Sequence, residues 1–203
     1  MSPPQVVVFD LGRVLLDFDY RLATDRLAQH CALSSDEIRR LLDQSPLLHR
    51  YESGQLSDEQ FFAEFQSAAV FRGDLAVFGP IFGDIFTPIE PMIRLHAELR
   101  TRGVPTLIFS NTNNLAVRHI RKRYPFFNAF VGYVFSYEHG VMKPDARLYE
   151  VVERATGCVG GALFYLDDRP ENVEVALGRG WHAVVHVSPE TSRRALQAAG
   201  LIA

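Results

Sequence analysis

The chain of 203 residues, 47% hydrophobic and 22% charged, is long enough to bury one sizeable core with a small insertion, and its ordinary charge content excludes a disordered chain. A formal charge of −3 without a long basic run excludes the electrostatic footprint of a nucleic-acid binder and points to a small soluble partner. No apolar stretch approaches the roughly twenty residues that span a bilayer, and Met1–Gln5 carries no basic region, so no membrane partner and a cytoplasmic setting are expected.

Val6–Phe9 is the first element, a short β-branched and aromatic run that suits a strand covered on both faces and stops abruptly at Asp10. Between Tyr20 and about Thr87 the pattern is helical, with no comparable buried strand. Ser34 with Glu37, and Ser57 with Gln60, match capping boxes, in which the two side chains of the tetrad satisfy free amides at a helix start. The turn-rich Glu52-Ser53-Gly54 joins two of these helices, and Phe61, Phe62 and Phe65 form a stripe at helical spacing that reads as local core. Glu52 itself reads as a solvated turn residue at least as readily as a substrate contact.

Three further runs repeat the opening pattern: Thr106–Phe109 ends at Ser110, Leu163–Leu166 at Asp167, and His182–Val187 at Ser188. Helices over Pro91–Arg100, Asp145–Ala155 and Pro170–Arg179 stop near Gly103, Gly157 and Gly180. Ser110 is a candidate cap for a helix that follows it, and Arg121-Lys122-Arg123 reads as a solvated helix end. Strands alternating with helices give an α/β fold, a doubly wound parallel sheet over residues 1–19 and 88–203, with a small helical cap inserted over 20–87. Cys31 and Cys158 stand in no metal-like spacing and read as two buried thiols without a disulfide.

In such a sheet, ligands bind beyond the carboxyl ends of the strands, which directs attention to Asp10, to Ser110 with Asn111, and to Asp167 with Asp168. A strand-end carboxylate such as Asp10 can attack phosphorus to form an acyl phosphate. Adjacent Asp167 and Asp168 repel each other unless a cation lies beside them, and Mg²⁺, which prefers oxygen ligands and bridges to phosphate, meets that need. Lys143, in Met142-Lys143-Pro144-Asp145 before a helix, supplies a point charge for a phosphoryl oxygen, and Ser110 a hydrogen bond to the same group. Asn172 is a weaker candidate for supporting the metal site.

Taken in order, Asp10-Leu-Gly-Arg-Val-Leu, Ser110-Asn-Thr-Asn, Lys143-Pro144 and Leu166-Asp167-Asp168 with Asn172 resemble the four motifs of the haloacid dehalogenase-like (HAD) hydrolase superfamily. The resemblance covers essentially the whole chain and implies a Rossmann-like core. Within the superfamily the chain is similar to bacterial sugar-phosphate phosphatases of the α-D-glucose 1-phosphate type, which share the Asp-Leu-Gly opening, the Ser-Asn-Thr-Asn segment and a Glu-x-Gly turn. It implies Asp10 as nucleophile, the Gly12 carbonyl, Asp10, Asp167 and Asp168 around Mg²⁺, and Ser110, Asn111 and Lys143 around the phosphoryl group of a small phosphorylated substrate.

One departure stands out, because most phosphatases of the superfamily carry an aspartate two positions after the nucleophile, acting as acid and base, where this chain has Gly12. That role passes to water, to the substrate, or to a neighbour such as Asp17 or Asp19. Two other readings share the nucleophile site. A 2-haloacid dehalogenase also lacks the second acid and needs no metal, but Asp167-Asp168 would repel its carboxylate substrate. A phosphate-binding regulatory protein without turnover is the other. Substrate identity and oligomeric state do not follow from these patterns.

Overall fold

The computed structural model describes residues 3–203. Its centre is a five-stranded, all-parallel sheet in the order β5-β4-β1-β6-β7, built from β1 (Val6–Phe9), β4 (Thr106–Ser110), β5 (Gly132–Phe135), β6 (Leu163–Asp167) and β7 (His182–Val185). Side chains alternate faces along a strand. Val7, Phe9, Ile108, Phe164 and Leu166 therefore pack on one side, against Met92, Leu95 and Leu99 of α6 (Glu90–Thr101), Val117 and Ile120 of α7 (Asn114–Arg123), and Leu196 of α11 (Pro189–Ala198). Val6, Val8, Leu107, Phe109, Leu163 and Tyr165 face the other side, against Leu148, Tyr149 and Val152 of α9 (Ala146–Thr156) and Ala176 of α10 (Pro170–Gly178). Both faces are covered, which is why the central strands read as unbroken apolar runs.

Five helices lie between two short strands, β2 (Leu16–Phe18) and β3 (Phe86–Pro88), which pair antiparallel: α1 (Tyr20–Ala28), α2 (Ser35–Gln44), α3 (Leu47–Glu52), α4 (Asp58–Ala69) and α5 (Leu75–Gly83). They enclose a core of their own, in which Phe61, Phe65, Phe78 and Phe82 meet. Both expected capping boxes form, at Ser34 with Glu37 and at Ser57 with Gln60. Among the described residues no helix is long and apolar enough to cross a membrane.

The structure departs from the sequence reading at several points. The β2–β3 ribbon and the edge strand β5 were not expected, and a four-residue helix α8 (Ser136–His139) follows β5. β7 ends at Val185: the His186 amide still donates to Asp167 O at 2.8 Å, but its ring pairs with Ser192 Oγ at 2.7 Å and Val187 is exposed. Ser110 does not cap α7; that place belongs to Asn113, whose side chain accepts from Ala116 N. Cys31 is buried, but Cys158 is only half-buried; both are free thiols.

Candidate active site

Strand register brings the polar strand ends together. Phe9 lies opposite Ile108 on one side and Leu166 on the other, so Asp10, one step beyond, falls between the ends of β4 and β6. The Asp10 amide donates to Leu166 O at 2.8 Å, and one carboxylate oxygen accepts from Leu11 N at 2.7 Å. This fixes both the backbone and the rotamer of a carboxylate that is only 7% exposed.

Lys143 reaches this point from the loop between α8 and α9. Its ammonium is 2.9 Å from Asp10 Oδ1 and 2.7 Å from Asp167 Oδ2, and it also donates to Phe109 O at 2.9 Å. The loop is held by Asn111, whose side chain donates to Lys143 O at 2.9 Å and accepts from Lys143 N at 2.8 Å. Asn111, expected among substrate-binding groups, lines the cavity, and its side chain also positions the lysine. Burial opposes the charge on Lys143, but the facing carboxylates of Asp10 and Asp167 outweigh it and hold the ammonium above its ordinary value.

The two adjacent acids differ sharply. Asp167 is fully buried, and both oxygens are occupied: Oδ1 accepts from Arg169 N and Asn172 Nδ2, and Oδ2 from Lys143, the Tyr165 hydroxyl and Asn172. Burial pushes its carboxyl up, but the Lys143 charge and the donated hydrogen bonds win, and it stays below the usual range. Asp168 is half-buried and, among the described residues, has no side-chain partner; desolvation and the neighbouring Asp167 charge raise it. Burial raises Asp10 to about 7, with Asp167 adding and Lys143 opposing.

One oxygen each from Asp10, Asp167 and Asp168 lies within 4.8 Å of the others. An all-oxygen donor set suits a hard cation such as Mg²⁺. Charge argues the same way, since three carboxylates against the one ammonium of Lys143 leave negative charge uncompensated in a largely buried place. The groups fit Mg²⁺, with Asp10 and Asp168 free to ligate directly and Asp167 spent on holding Lys143 and Asn172.

Asp10, Gly12, Ser110, Lys143 and Asp168 line the floor of a cavity of about 290 Å³, and Phe18, Tyr20, Leu48, Phe82, Ile85 and Phe86 form much of its outer wall. Ser110 is 3% exposed at the end of β4, its hydroxyl turned to Asn111 O at 3.2 Å. Gly12 sits close under the Phe18 ring, and a Cβ there would stand 3.0 Å from it, so the ring would have to shift slightly. Asp17 and Asp19 do not line the cavity. Asp17 pairs with Arg13 on the surface, and Asp19 caps α1 by accepting from Arg21 N.

Sequence reasoning gave no site role to two groups, Tyr165 and Asn113, and weighed a third, Glu52, as a solvated turn residue at least as readily as a substrate contact. Tyr165 gives its hydroxyl to Asp167 and accepts from Lys143; a hydroxyl two residues before a strand-end acid, on the same face of a buried strand, was the available signal. Asn113 lines the cavity as well as capping α7. Glu52 is not a solvated turn residue: it lines the cavity, where burial raises its carboxyl to about 7 against a hydrogen bond from Asn113.

Comparison with known proteins finds relatives of this chain and of its fold. A mouse protein named acyl-CoA dehydrogenase family member 10 is 24% identical over 208 residues, covering 96% of this chain, although the chain spans only 19% of that protein's length. The sesquiterpene phosphatase astK of Aspergillus oryzae is 23% identical over 87% of this chain and 86% of its own. Among solved structures, a HAD family enzyme from Bacteroides thetaiotaomicron in complex with magnesium and inorganic phosphate superposes with a TM-score of 0.77 at 18% identity, covering 90% of this chain and 93% of that one. The L-2-haloacid dehalogenase of Xanthobacter autotrophicus has the same fold, with a TM-score of 0.64 at 21% identity over 98% of this chain and 84% of its own. The family model for haloacid dehalogenase-like hydrolases matches residues 4–178, and the chain belongs to that family of hydrolases.

Proposed function

We propose that this chain is a magnesium-dependent phosphatase that hydrolyses a small phosphate monoester through a phospho-aspartate on Asp10, with sugar phosphates as the preferred substrates. The observation that carries this reading is the Lys143 ammonium, held 2.9 Å from Asp10 on a cavity floor that the otherwise unpartnered Asp168 also faces. Asp10 attacks phosphorus, Lys143 neutralises charge on Asp10 and on the arriving phosphoryl group, and Ser110 donates to a phosphoryl oxygen. Asp10, Asp168 and the Gly12 carbonyl would hold Mg²⁺, with Asp167 behind them. Bound Mg²⁺ supplies further positive charge for the transferring phosphoryl oxygens. The magnesium and phosphate carried by the Bacteroides enzyme support the same assignment.

Sugars suit the space above the floor, where Glu52, Asn113 and Tyr20 offer partners to hydroxyl groups and aromatic rings offer faces for C–H bonds. A second substrate class is favoured by the apolar outer wall and by the likeness to a sesquiterpene phosphatase, namely phosphate esters of isoprenoid alcohols.

The test is phosphate release over a panel of hexose 1- and 6-phosphates, prenyl phosphates and nucleotides, with Mg²⁺ or EDTA, for the wild type and Asp10→Asn. Hydrolysis that requires Mg²⁺ and is lost in D10N, with circular dichroism unchanged, is expected. Halide release from 2-haloacids that persists in EDTA, without phosphatase activity, would overturn the reading in favour of a dehalogenase.

A further inference from the structure

In this family position 12 commonly supplies the proton that a departing alkoxide needs, and in this chain that position has no side chain, with the Phe18 ring 3.0 Å from where a Cβ would stand. Asp17 and Asp19, the nearest acids in sequence, point elsewhere. Apart from the floor acids Asp10 and Asp168, the cavity has one lining carboxyl, Glu52, delivered from the end of α3.

Three observations separate Glu52 from a structural acid. It has no cationic partner: no ion pair to it occurs among the described residues, and Asn113 alone opposes the effect of its burial. Its neighbour Asp58 shows what a structural acid looks like here, since that carboxylate accepts from Tyr51 and from Asn114 and lies 3.6 Å from Arg118. The backbone that carries Glu52 is fixed to the sheet domain, with Ser136 Oγ donating to Glu52 O at 2.6 Å and Gly54 packed against the Tyr137 carbonyl. A half-buried carboxyl without a counter-ion is a destabilising feature, and here its backbone is anchored while the residue lines the reaction space. Its burial raises it to about 7, where a general acid works best near neutral pH.

We infer that Glu52 is the catalytic acid and base of this enzyme, protonating the leaving oxygen and then deprotonating the attacking water, in place of the side chain absent at Gly12. The inference rests on the phosphatase reading above. In the first half, an Asp10 oxygen bonds to phosphorus as the bond from phosphorus to the leaving oxygen breaks; that oxygen takes the proton of neutral Glu52 and departs as the alcohol. In the second half, water bonds to phosphorus as the bond to Asp10 breaks. The proton lost by water returns to the Glu52 carboxylate, inorganic phosphate leaves, and both carboxyl groups recover their starting states.

The test compares an ester whose leaving group needs a proton, a primary alkyl phosphate such as glycerol 3-phosphate, with one that does not, p-nitrophenyl phosphate. In Glu52→Gln, single-turnover phosphorylation of Asp10 by the alkyl ester should fall by about 10²–10⁴-fold, while the p-nitrophenolate burst stays within a few-fold of wild type and is followed by slow turnover. Equal loss for both esters, or loss for neither, overturns the assignment. The wild type provides an independent check should E52Q fail to fold: across alkyl and aryl esters its rates should depend only weakly on leaving-group pKa, and a steep dependence overturns the inference while leaving the phosphatase reading intact. If the wild type releases phosphate from no ester, it is the phosphatase reading itself that fails.

Discussion

Glu52 carries two consequences at the scale of a single residue, one for rate and one for stability. A carboxyl raised to about 7 in the fold and near 4.5 in the unfolded chain binds its proton more tightly when folded. Between those values the folded state holds more protons, so stability falls as pH rises through the window, and the penalty is complete only above about 7. Below about pH 4.5 Glu52 is protonated in both states and the penalty vanishes. Glutamine keeps the shape and removes the charge. E52Q should therefore come within about 0.5 kcal/mol of wild type at pH 4.5 and become more stable than it by about 1–3 kcal/mol at pH 8, read by urea denaturation in EDTA. A gap that shrinks with rising pH would show that the carboxylate is solvated or paired. Stability gained together with lost alkyl-ester turnover is the pattern expected of an active-site group held at a cost to the fold.

At the scale of elements, the turn after α3 fixes the helical layer to the sheet domain. Gly54 has φ +71°, and a Cβ there would lie 2.2 Å from Tyr137 O and 3.0 Å from Tyr137 C. Its neighbours in the same contact are buried polar groups: Tyr51 Oη donates to Asp58 and accepts from Leu115 N at 3.1 Å, and Ser136 Oγ bridges Glu52 O and Thr112. Gly54→Ala combines left-handed backbone strain with a collision against main chain, which no rotamer change relieves. A loss of about 2–4 kcal/mol in unfolding free energy is expected, and a loss under about 1 kcal/mol would mean that the turn stands off the core. The sequence signals differed in strength for physical reasons. Val6–Phe9, Thr106–Phe109 and Leu163–Leu166 were legible because strands buried on both faces are continuously apolar and end where a polar residue begins. β5 was not, since Gly132-Tyr-Val-Phe is short, begins with glycine and lies at the sheet edge, and the three-residue strands of the β2–β3 ribbon are too short to show a period. The setting of Glu52 was hidden for another reason: its environment comes from Asn113 and Ser136, more than fifty residues away.

At the scale of the whole molecule, the balance of charge at the sheet's carboxyl edge couples ion binding to folding. Asp10, Asp167 and Asp168 meet one ammonium, so the protein without a divalent ion carries mutual repulsion that unfolding relieves. An ion that binds the folded state alone stabilises it by about 2.7 kcal/mol at a hundred times its dissociation constant. For a chain of this size that corresponds to a rise in Tm of roughly 5–10 °C on adding Mg²⁺, reversed by EDTA. Asp168→Asn separates this linkage from a general salt effect, because the two predicted changes have opposite signs. In EDTA the variant should melt above wild type, since a like charge beside Asp167 is gone and Asp167 keeps its bonds to Lys143, Tyr165 and Asn172. In Mg²⁺ the order should reverse, because the ligand that has no protein partner has been removed. If D168N melts below wild type in EDTA, or responds to Mg²⁺ as fully as wild type does, Asp168 is not the acid left free for the ion, and the division of labour between the two adjacent aspartates is wrong.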